Sequence, residues 1–401
     1  GERVAYPDRK LFYIYIMAKN ILLVTWYKST NCGTCLQSYA LYHILSQRYN
    51  VSFLGRRTYY SLLNPEFYKK IYLNIKKKLH ISHSHKVQNS PPAYSKAILA
   101  HTQKFAKFIQ ENYQIQPLKS YKDYKKICTQ YDAFIVGSDQ LWSPRMFSSA
   151  NMLDFVPKQK KKITYAASFG VDNVPQHYYK LYSRLLKRLD IISVREPRAK
   201  ELVKEIAQKD SVTVLDPTFL LTPEEWRTFA TQSDVMNQYN ISGKYLIAYF
   251  IGSSDFNHLT ATKEMAKQLK YKLVVIPNRV EDYSLSDPDI ILVSDTCNYD
   301  FVKLIDNAEL VCTDSFHAVV FSFLMDTSFF VFPRFKKGDV NSQNNRLDNI
   351  LNKFSLMDKK WKEEWLSNIQ AHLTHDYSSG YKVLEEERKN CLHFLFNAIE
   401  K

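Results

Sequence analysis

The stretch ELVCTDSFHAVVFS, residues 309–322, joins a short apolar run to a helical pattern through a polar turn. The run before the turn has the composition of a buried parallel strand, and the apolar residues after it are typical of a buried helix. Asp314, Ser315 and His317 lie at the junction. A helix cap and a histidine satisfied in the core explain them without any activity, and a reactive centre at a strand end is the alternative.

The same alternation of apolar runs and helical stretches surrounds this segment in the second half of the chain. Strands are predicted at YLIAYFI (245–251), KLVVIP (272–277), IILVS (290–294), ELVCTDS (309–315) and SFFVFP (328–333). Strands that alternate with helices indicate a parallel sheet covered on both faces. The second half is therefore predicted to be one α/β domain.

The first half shows the same pattern. Strands are predicted at ILLVTW (21–26), AFIVGSDQ (133–140), KKITYAASFG (161–170), DIISVRE (190–196) and SVTVLDPTFLL (211–221), with a helix over LQSYALYHILSQ (36–47). A chain of 401 residues exceeds the size of a single hydrophobic core. We predict a first domain over 17–235, with a basic helical insert at about 56–126, and a second over 236–401 whose terminal helix packs back across the hinge.

The net charge of +15 is concentrated in the insert, where residues 56–126 contain 15 Lys or Arg, three acids and eight tyrosines. Such a segment suits an anionic membrane surface or a phosphorylated substrate, and a solvated helical face is the plain alternative. No zinc-finger spacing or aromatic RNA-binding signature is present, so no nucleic-acid partner is expected. No uncharged apolar run of about 18 residues exists, which excludes a membrane span. We expect a cytoplasmic protein that starts at Met17, preceded by a leader or a remnant, with peripheral contact at the inner face of the plasma membrane.

Two short motifs suggest metal or redox chemistry. Cys32 and Cys35 form a C-x-x-C pair, and HISHSH (80–85) carries three histidines. The pair has no second C-x-x-C, the histidines precede a Ser-Pro-Pro stretch typical of a loop, and the six cysteines are too scattered for a disulfide framework. No metal site and no cofactor are therefore expected.

Polar residues follow several of the predicted strands at their carboxyl ends, where parallel sheets bind ligands. The candidate residues are Asn31, Gly33, Gly137, Ser138, Asp139, Gln140, Ser168, Gly170, Arg195, Glu196, Asp314, Ser315 and His317. Turn amides and arginine side chains at such an edge attract anions. Taken singly, each residue is also explained by a turn, a helix cap or an ion pair.

Six blocks of the sequence resemble those of the polysaccharide pyruvyl transferases, in the same order. They are NCGTCLQSYAL, DAFIVGSDQLW, KITYAASFG, ISVREPRA, VLDPTFLL and TDSFHAVVFS. The resemblance implies an α/β fold of two Rossmann-like domains facing across a cleft, the arrangement called GT-B. It also implies transfer of the enolpyruvyl group of phosphoenolpyruvate to two hydroxyls of a sugar, forming a pyruvate ketal and releasing phosphate.

The resemblance further implies roles for particular residues. His317 matches the family's histidine and would donate a proton, and Arg195 would hold the anionic donor, with the other candidates binding substrate. Many members carry Arg where this chain has Ser315, so another basic residue must replace it; Arg334 is one choice and Arg346 the preferred one. Cys32 replaces the usual aromatic residue, which alters packing more than chemistry. Phosphoenolpyruvate is then a donor substrate, not a cofactor.

The acceptor implied by the resemblance is a sugar of a surface polysaccharide or of its lipid-diphosphate-linked precursor. Two other functions fit the same fold. One is a GT-B glycosyltransferase that uses a nucleotide sugar, and the other is a non-catalytic glycan-binding scaffold. Ser315 in place of Arg is the best support for the scaffold.

Overall fold

The computed structural model describes residues 18–55, 92–118, 120, 122–252, 257–334 and 344–401. Met17 with the residues before it, HISHSH and about half of the basic insert lie outside these residues. The strands are β1 (Asn20–Val24), β2 (Asn50–Leu54), β3 (Ile115–Gln116), β4 (Ala133–Val136), β5 (Lys161–Thr164), β6 (Ser193–Val194), β7 (Val212–Thr213), β8 (Tyr245–Tyr249), β9 (Lys272–Val275), β10 (Ile290–Leu292), β11 (Leu310–Thr313) and β12 (Phe329–Val331).

Helices cover the faces of the strands. They are α1 (Cys32–Ser46), α2 (Pro92–Asn112), α3 (Asp123–Gln130), α4 (Tyr179–Leu186), α5 (Pro197–Ala207), α6 (Pro223–Ala230), α7 (Val235–Gln238), α8 (His258–Leu269), α9 (Asn298–Asp306), α10 (Phe316–Leu324), α11 (Asn344–Lys353) and α12 (Ser378–Glu400). None of the helices in the described part of the chain is long and apolar enough to cross a membrane. The predicted domain boundary near residue 235 stays a prediction; α7 begins there, between β7 and β8.

The first sheet is parallel and has the order β3-β2-β1-β4-β5. Sequence analysis missed β2 and β3, which are short and carry polar residues. It also expected full strands at 190–196 and 211–221. In the structure, only two residues of each segment form a strand, and these strands pair with each other as β6-β7. Isolated bridges connect this pair to β5 and to the residues that follow it.

The second sheet is also parallel, with the order β10-β9-β8-β11-β12. All five strands predicted for this half are confirmed, because each is an almost fully apolar run, and all but the edge strand β10 are mostly buried. Counted from its own first strand, each sheet has the order 3-2-1-4-5 of the Rossmann fold. Ligands bind such sheets where the strand order reverses, next to β1 and β4 in one half and β8 and β11 in the other.

Two helices connect the halves. From α12, Arg388 Nε donates a 2.6 Å hydrogen bond to the carbonyl of Phe219, and Glu400 pairs with Lys19 at 2.7 Å. From α2, Lys104 Nζ lies 3.0 Å from Asp295 Oδ2 in the second half. The turn after β7 lies next to the start of α10. Several of the candidate residues lie at this junction of the two halves.

Candidate active site

Arg195 from the first half and His317 from the second meet at one carboxylate, that of Asp216. Arg195 Nη1 donates a 2.8 Å hydrogen bond to Asp216 Oδ2. His317 Nε2 lies 3.7 Å from the same oxygen, too far for a hydrogen bond but within ion-pair range. β6 delivers Arg195, the turn after β7 delivers Asp216, and the first turn of α10 delivers His317. The two residues expected to be catalytic are therefore neighbours across the junction of the halves.

Asp216 is fully buried and tightly held. Its Oδ1 accepts hydrogen bonds from the backbone N–H (3.0 Å) and the hydroxyl (2.8 Å) of Thr218, and its Oδ2 accepts one from Ser138 at 3.3 Å. Burial by itself raises the pKa of the Asp216 carboxyl, but His317, Arg195 and Thr218 together hold it well below its usual range. Asp216 is therefore an anion at every physiological pH.

His317 is fitted against the start of α1. A Cβ atom at Gly33 would lie 2.2 Å from His317 Nδ1, so only glycine allows the ring this close. The imidazole is thus held between Gly33 of the first half and Asp216, and only a tenth of its side chain is exposed. Gly33 therefore leaves room for the imidazole of His317. Its role in substrate binding stays a prediction.

Three carboxylates surround the guanidinium of Arg195. Besides Asp216, Asp139 Oδ1 and Glu196 Oε2 each lie 3.7 Å from one of its nitrogens. Burial lowers the pKa of Arg195, but the three acids more than reverse this effect and leave it raised. The side chain is only 4% exposed, so its charge is fixed in place.

A cavity of about 370 Å³ opens beside this cluster. Its lining includes Arg195, Glu196, Asp216, Phe316 and Arg346, and Asn349, Asn352 and Lys353 stand at the exposed part of the wall. The remaining lining residues are mainly apolar. Pockets of this size, apolar with a few convergent charges, are typical of small-ligand sites. His317 is not among the lining residues and contacts the lining through Asp216.

Arg346, the preferred replacement for the family's missing arginine, reaches the same cavity. The guanidinium carbons of Arg195 and Arg346 lie 5.0 and 5.3 Å from the centre of the Phe316 ring. Burial and repulsion from Arg195 lower the pKa of Arg346 to about 10. Two cations near one aromatic ring repel each other, and such an arrangement is favourable for an anionic ligand. Arg334, the other choice, does not line this cavity.

Two of the candidates that follow β4 and β5 contact this cluster, Asp139 at Arg195 and Ser168 at Glu196. Asp139 has a left-handed backbone (φ 81°) and accepts a 3.0 Å hydrogen bond from Thr34 in α1. Ser168 Oγ donates a 2.5 Å hydrogen bond to Glu196. The side chain of Gln140 packs at Gly170, where an added Cβ would lie 2.6 Å from it.

Other candidates have mainly structural contacts. Asn31 caps α1 by accepting a 3.1 Å hydrogen bond from the N–H of Thr34, and Gly137 packs against Thr25. Asp314 accepts hydrogen bonds from the backbone N–H groups of Ile251 (2.7 Å) and Gly252 (2.8 Å). Ser315 is the N-cap residue of α10 but makes no side-chain cap bond. Their roles in substrate binding stay predictions.

Asp216 and Phe316 were not selected from the sequence. Asp216 directly follows the apolar run of β7, so the rule that found the other candidates applies to it as well. The predicted strand ran to Leu221 and so placed Asp216 inside the strand instead of at its end; in the structure the strand ends at Thr213, and Asp216 accepts the N–H of Thr218 in a turn. Phe316 gave no signal, because an aromatic residue in an apolar helix is ordinarily core.

The C-x-x-C pair shows no sign of reactivity. Both thiols are buried, and burial raises the pKa of Cys35 to about 12, which disfavours the thiolate that redox and metal chemistry require. Within the described residues, no group of three or more His, Cys, Asp or Glu side chains is arranged to hold a metal ion. The histidines of HISHSH lie outside the described residues.

Comparison with solved structures shows the fold. The chain is similar to a putative UDP-N-acetylglucosamine 2-epimerase from Listeria monocytogenes, with 10% identity, a TM-score of 0.50, and 92% of this chain and 91% of that chain covered. A second UDP-N-acetylglucosamine 2-epimerase gives 10% identity, a TM-score of 0.50, and coverage of 94% and 95%. The predicted fold is confirmed: α/β, with two GT-B-like Rossmann domains facing across a cleft.

Comparison of sequences gives two further results. No curated protein matches the chain. A sequence model described as polysaccharide pyruvyl transferase matches residues 31–334. The match includes the residues of the Asp216 cluster and ends before α11, so Arg346 lies outside it.

Proposed function

The chain belongs to the polysaccharide pyruvyl transferase family, and from this premise we propose that it moves the enolpyruvyl group of phosphoenolpyruvate onto a sugar. Two hydroxyls of the sugar become bonded to one carbon as a pyruvate ketal, and phosphate leaves. The observation that carries the proposal is the cavity that Arg195 and Arg346 line together at the junction of the halves.

The donor has a phosphate and a carboxylate, and each needs a cation. Arg195 and Arg346 are the proposed clamp, since guanidinium groups bind both anions through paired N–H groups. Phosphate then leaves as an anion that the same cations stabilise. Three carboxylates surround Arg195, and Arg346 adds a second cation at the wall of the same cavity.

Ketal formation also needs a proton at the methylene carbon of the donor. His317 is the proposed proton donor, because imidazole is a common general acid and its Nε2 lies 3.7 Å from the Asp216 carboxylate. The imidazole contacts the cavity lining through Asp216, so the methylene carbon is proposed to lie at that end of the cavity. The apolar part of the wall would keep water from the oxocarbenium-like centre.

The acceptor is proposed to be a sugar of a surface polysaccharide or of its lipid-diphosphate-linked precursor. In the second case the basic insert would rest on the anionic inner leaflet, at about 1 kcal/mol per basic residue near the surface. Lys96 and Lys107 are exposed on α2, which belongs to the described part of that insert. Sedimentation with neutral and anionic vesicles at low salt tests the contact, and equal binding to both would rule it out.

Mass spectrometry of acceptors incubated with phosphoenolpyruvate tests the function. Galactose- and mannose-containing acceptors are expected to gain a pyruvyl group with loss of water while phosphate is released. Release of a nucleoside diphosphate from a nucleotide sugar would instead identify a glycosyltransferase. Glycan binding without either reaction would identify a scaffold.

A further inference from the structure

Glu196 is a cavity residue to which the proposed clamp assigns no role. It follows β6 next to Arg195 and lines the same cavity. Ser168 fixes its Oε1 through the 2.5 Å hydrogen bond, whereas Oε2 is buried and has no hydrogen-bond partner in the described part of the chain. A buried carboxylate oxygen without a donor has lost its hydration with no replacement, so it calls for an explanation.

The guanidinium of Arg195 lies beside this oxygen and has hydrogen-bond donors without an acceptor in the described residues. Arg195 Nε and Nη2 are also buried without a hydrogen-bond partner among the described residues, and Nε lies 3.7 Å from Glu196 Oε2. This part of the wall therefore offers two unused donors beside one unused acceptor. An anion alone would satisfy only the donors and would be repelled by Glu196. An anion together with a hydroxyl would satisfy all three atoms.

We propose that Glu196 is a further catalytic residue, which binds a hydroxyl of the acceptor sugar through Oε2 and takes its proton. The inference rests on the proposed function and extends it from the donor to the acceptor. Arg195 Nε lies 3.7 Å from Oε2, so the anion bound by Arg195 and the hydroxyl bound by Glu196 would lie side by side.

The protons of the reaction balance with this assignment. The methylene carbon gains one proton from His317, and the two hydroxyls lose one each as their oxygens bond to the same carbon. One of these protons goes to Glu196, and the other departs with phosphate as the bond between phosphate and that carbon breaks. Glu196 then releases its proton to solvent, from which His317 regains the one it gave.

The substitution Glu196→Gln tests the proposal, because it keeps the shape and removes the charge and the basicity. We expect phosphoenolpyruvate to bind about twofold tighter or more by calorimetry, since a negative charge next to the anion is removed. Phosphate release is expected to slow by about 100-fold or more, the usual contribution of a general base. Glu201→Gln is the matched control, because Glu201 is exposed on α5 and pairs with Arg198 at the surface. It should change neither quantity.

The outcomes separate this proposal from the function on which it rests. If the wild type does not bind phosphoenolpyruvate, the proposed function fails. If the wild type binds it and Glu196→Gln binds it equally or more weakly, the assignment of Glu196 is overturned and the function stands. Unchanged phosphate release by the variant would have the same meaning, and a fall in affinity together with melting temperature would show a structural role instead.

Discussion

Arg195 Nη1 and Asp216 Oδ2 form a 2.8 Å ion pair in which neither side chain has more than 4% of its surface exposed. The pair joins β6 to the turn after β7, and His317 of the second half approaches the same oxygen. A buried pair of this kind holds its members in fixed positions, and breaking it leaves one charge buried and uncompensated.

Asp216→Asn is therefore expected to lower the free energy of unfolding by about 3–5 kcal/mol, because Arg195 loses its nearest counter-charge. Urea denaturation followed by circular dichroism measures the loss. Asp348→Asn is the control, since Asp348 pairs with Lys360 at the surface and should cost about 1 kcal/mol or less. Equal losses in the two variants would contradict the central position of Asp216.

The same carboxylate predicts how stability depends on pH. Its pKa is lowered in the folded protein, so its contribution is present above the unfolded pKa of about 4 and is lost as the pH falls toward the folded value. Urea midpoints measured from pH 6 downward should fall on acidification. In Asp216→Asn the decline should be shallower, because the variant has no proton to bind at this position. Parallel curves for the two proteins would contradict the lowered pKa.

The second sheet was predictable because each strand is a short apolar run, as in KLVVIP and ELVCTDS, and most of these runs are buried. The strands of the first sheet were harder to predict from the sequence. β2, with Asn50 and Ser52, and β3, with two residues, have no such run, and tertiary pairing with β1 decides their structure.

The expectation that ligands bind at the carboxyl ends of parallel strands identified Arg195 and His317 from the sequence. It did not identify Asp216, the partner that they share. Their meeting depends on how two sheets distant in sequence pack together, and no local pattern encodes that. The contact between Gly33 and His317 is of the same kind, since each residue alone is explained by a helix start. Local sequence thus indicates which strand ends carry polar groups, and packing decides which of them touch.

Arg346→Ala is expected to weaken phosphoenolpyruvate binding by about tenfold or more, the value of a charge-assisted hydrogen bond. Stability should stay equal or rise, because burial and repulsion from Arg195 make this cation unfavourable in the folded protein. Calorimetry and thermal melting measure the two effects. Arg334→Ala is the control for affinity, since Arg334 does not line the cavity. A loss of affinity in Arg334→Ala alone would show that Arg334 binds the donor and Arg346 does not.

The fit of Gly33 against His317 leads to a prediction that needs no substrate. Gly33→Ala would place a Cβ 2.2 Å from His317 Nδ1, so the ring must move, at a cost of about 1–3 kcal/mol for overpacking. In a His317→Gly background the ring and its Cβ are both gone, and Gly33→Ala should then be neutral or stabilise α1 by up to about 1 kcal/mol, because alanine favours a helix. A double-mutant cycle of urea unfolding measures this reversal of sign. Equal effects of Gly33→Ala in both backgrounds would mean that the histidine does not rest on the start of α1, and that the two halves do not meet at this point.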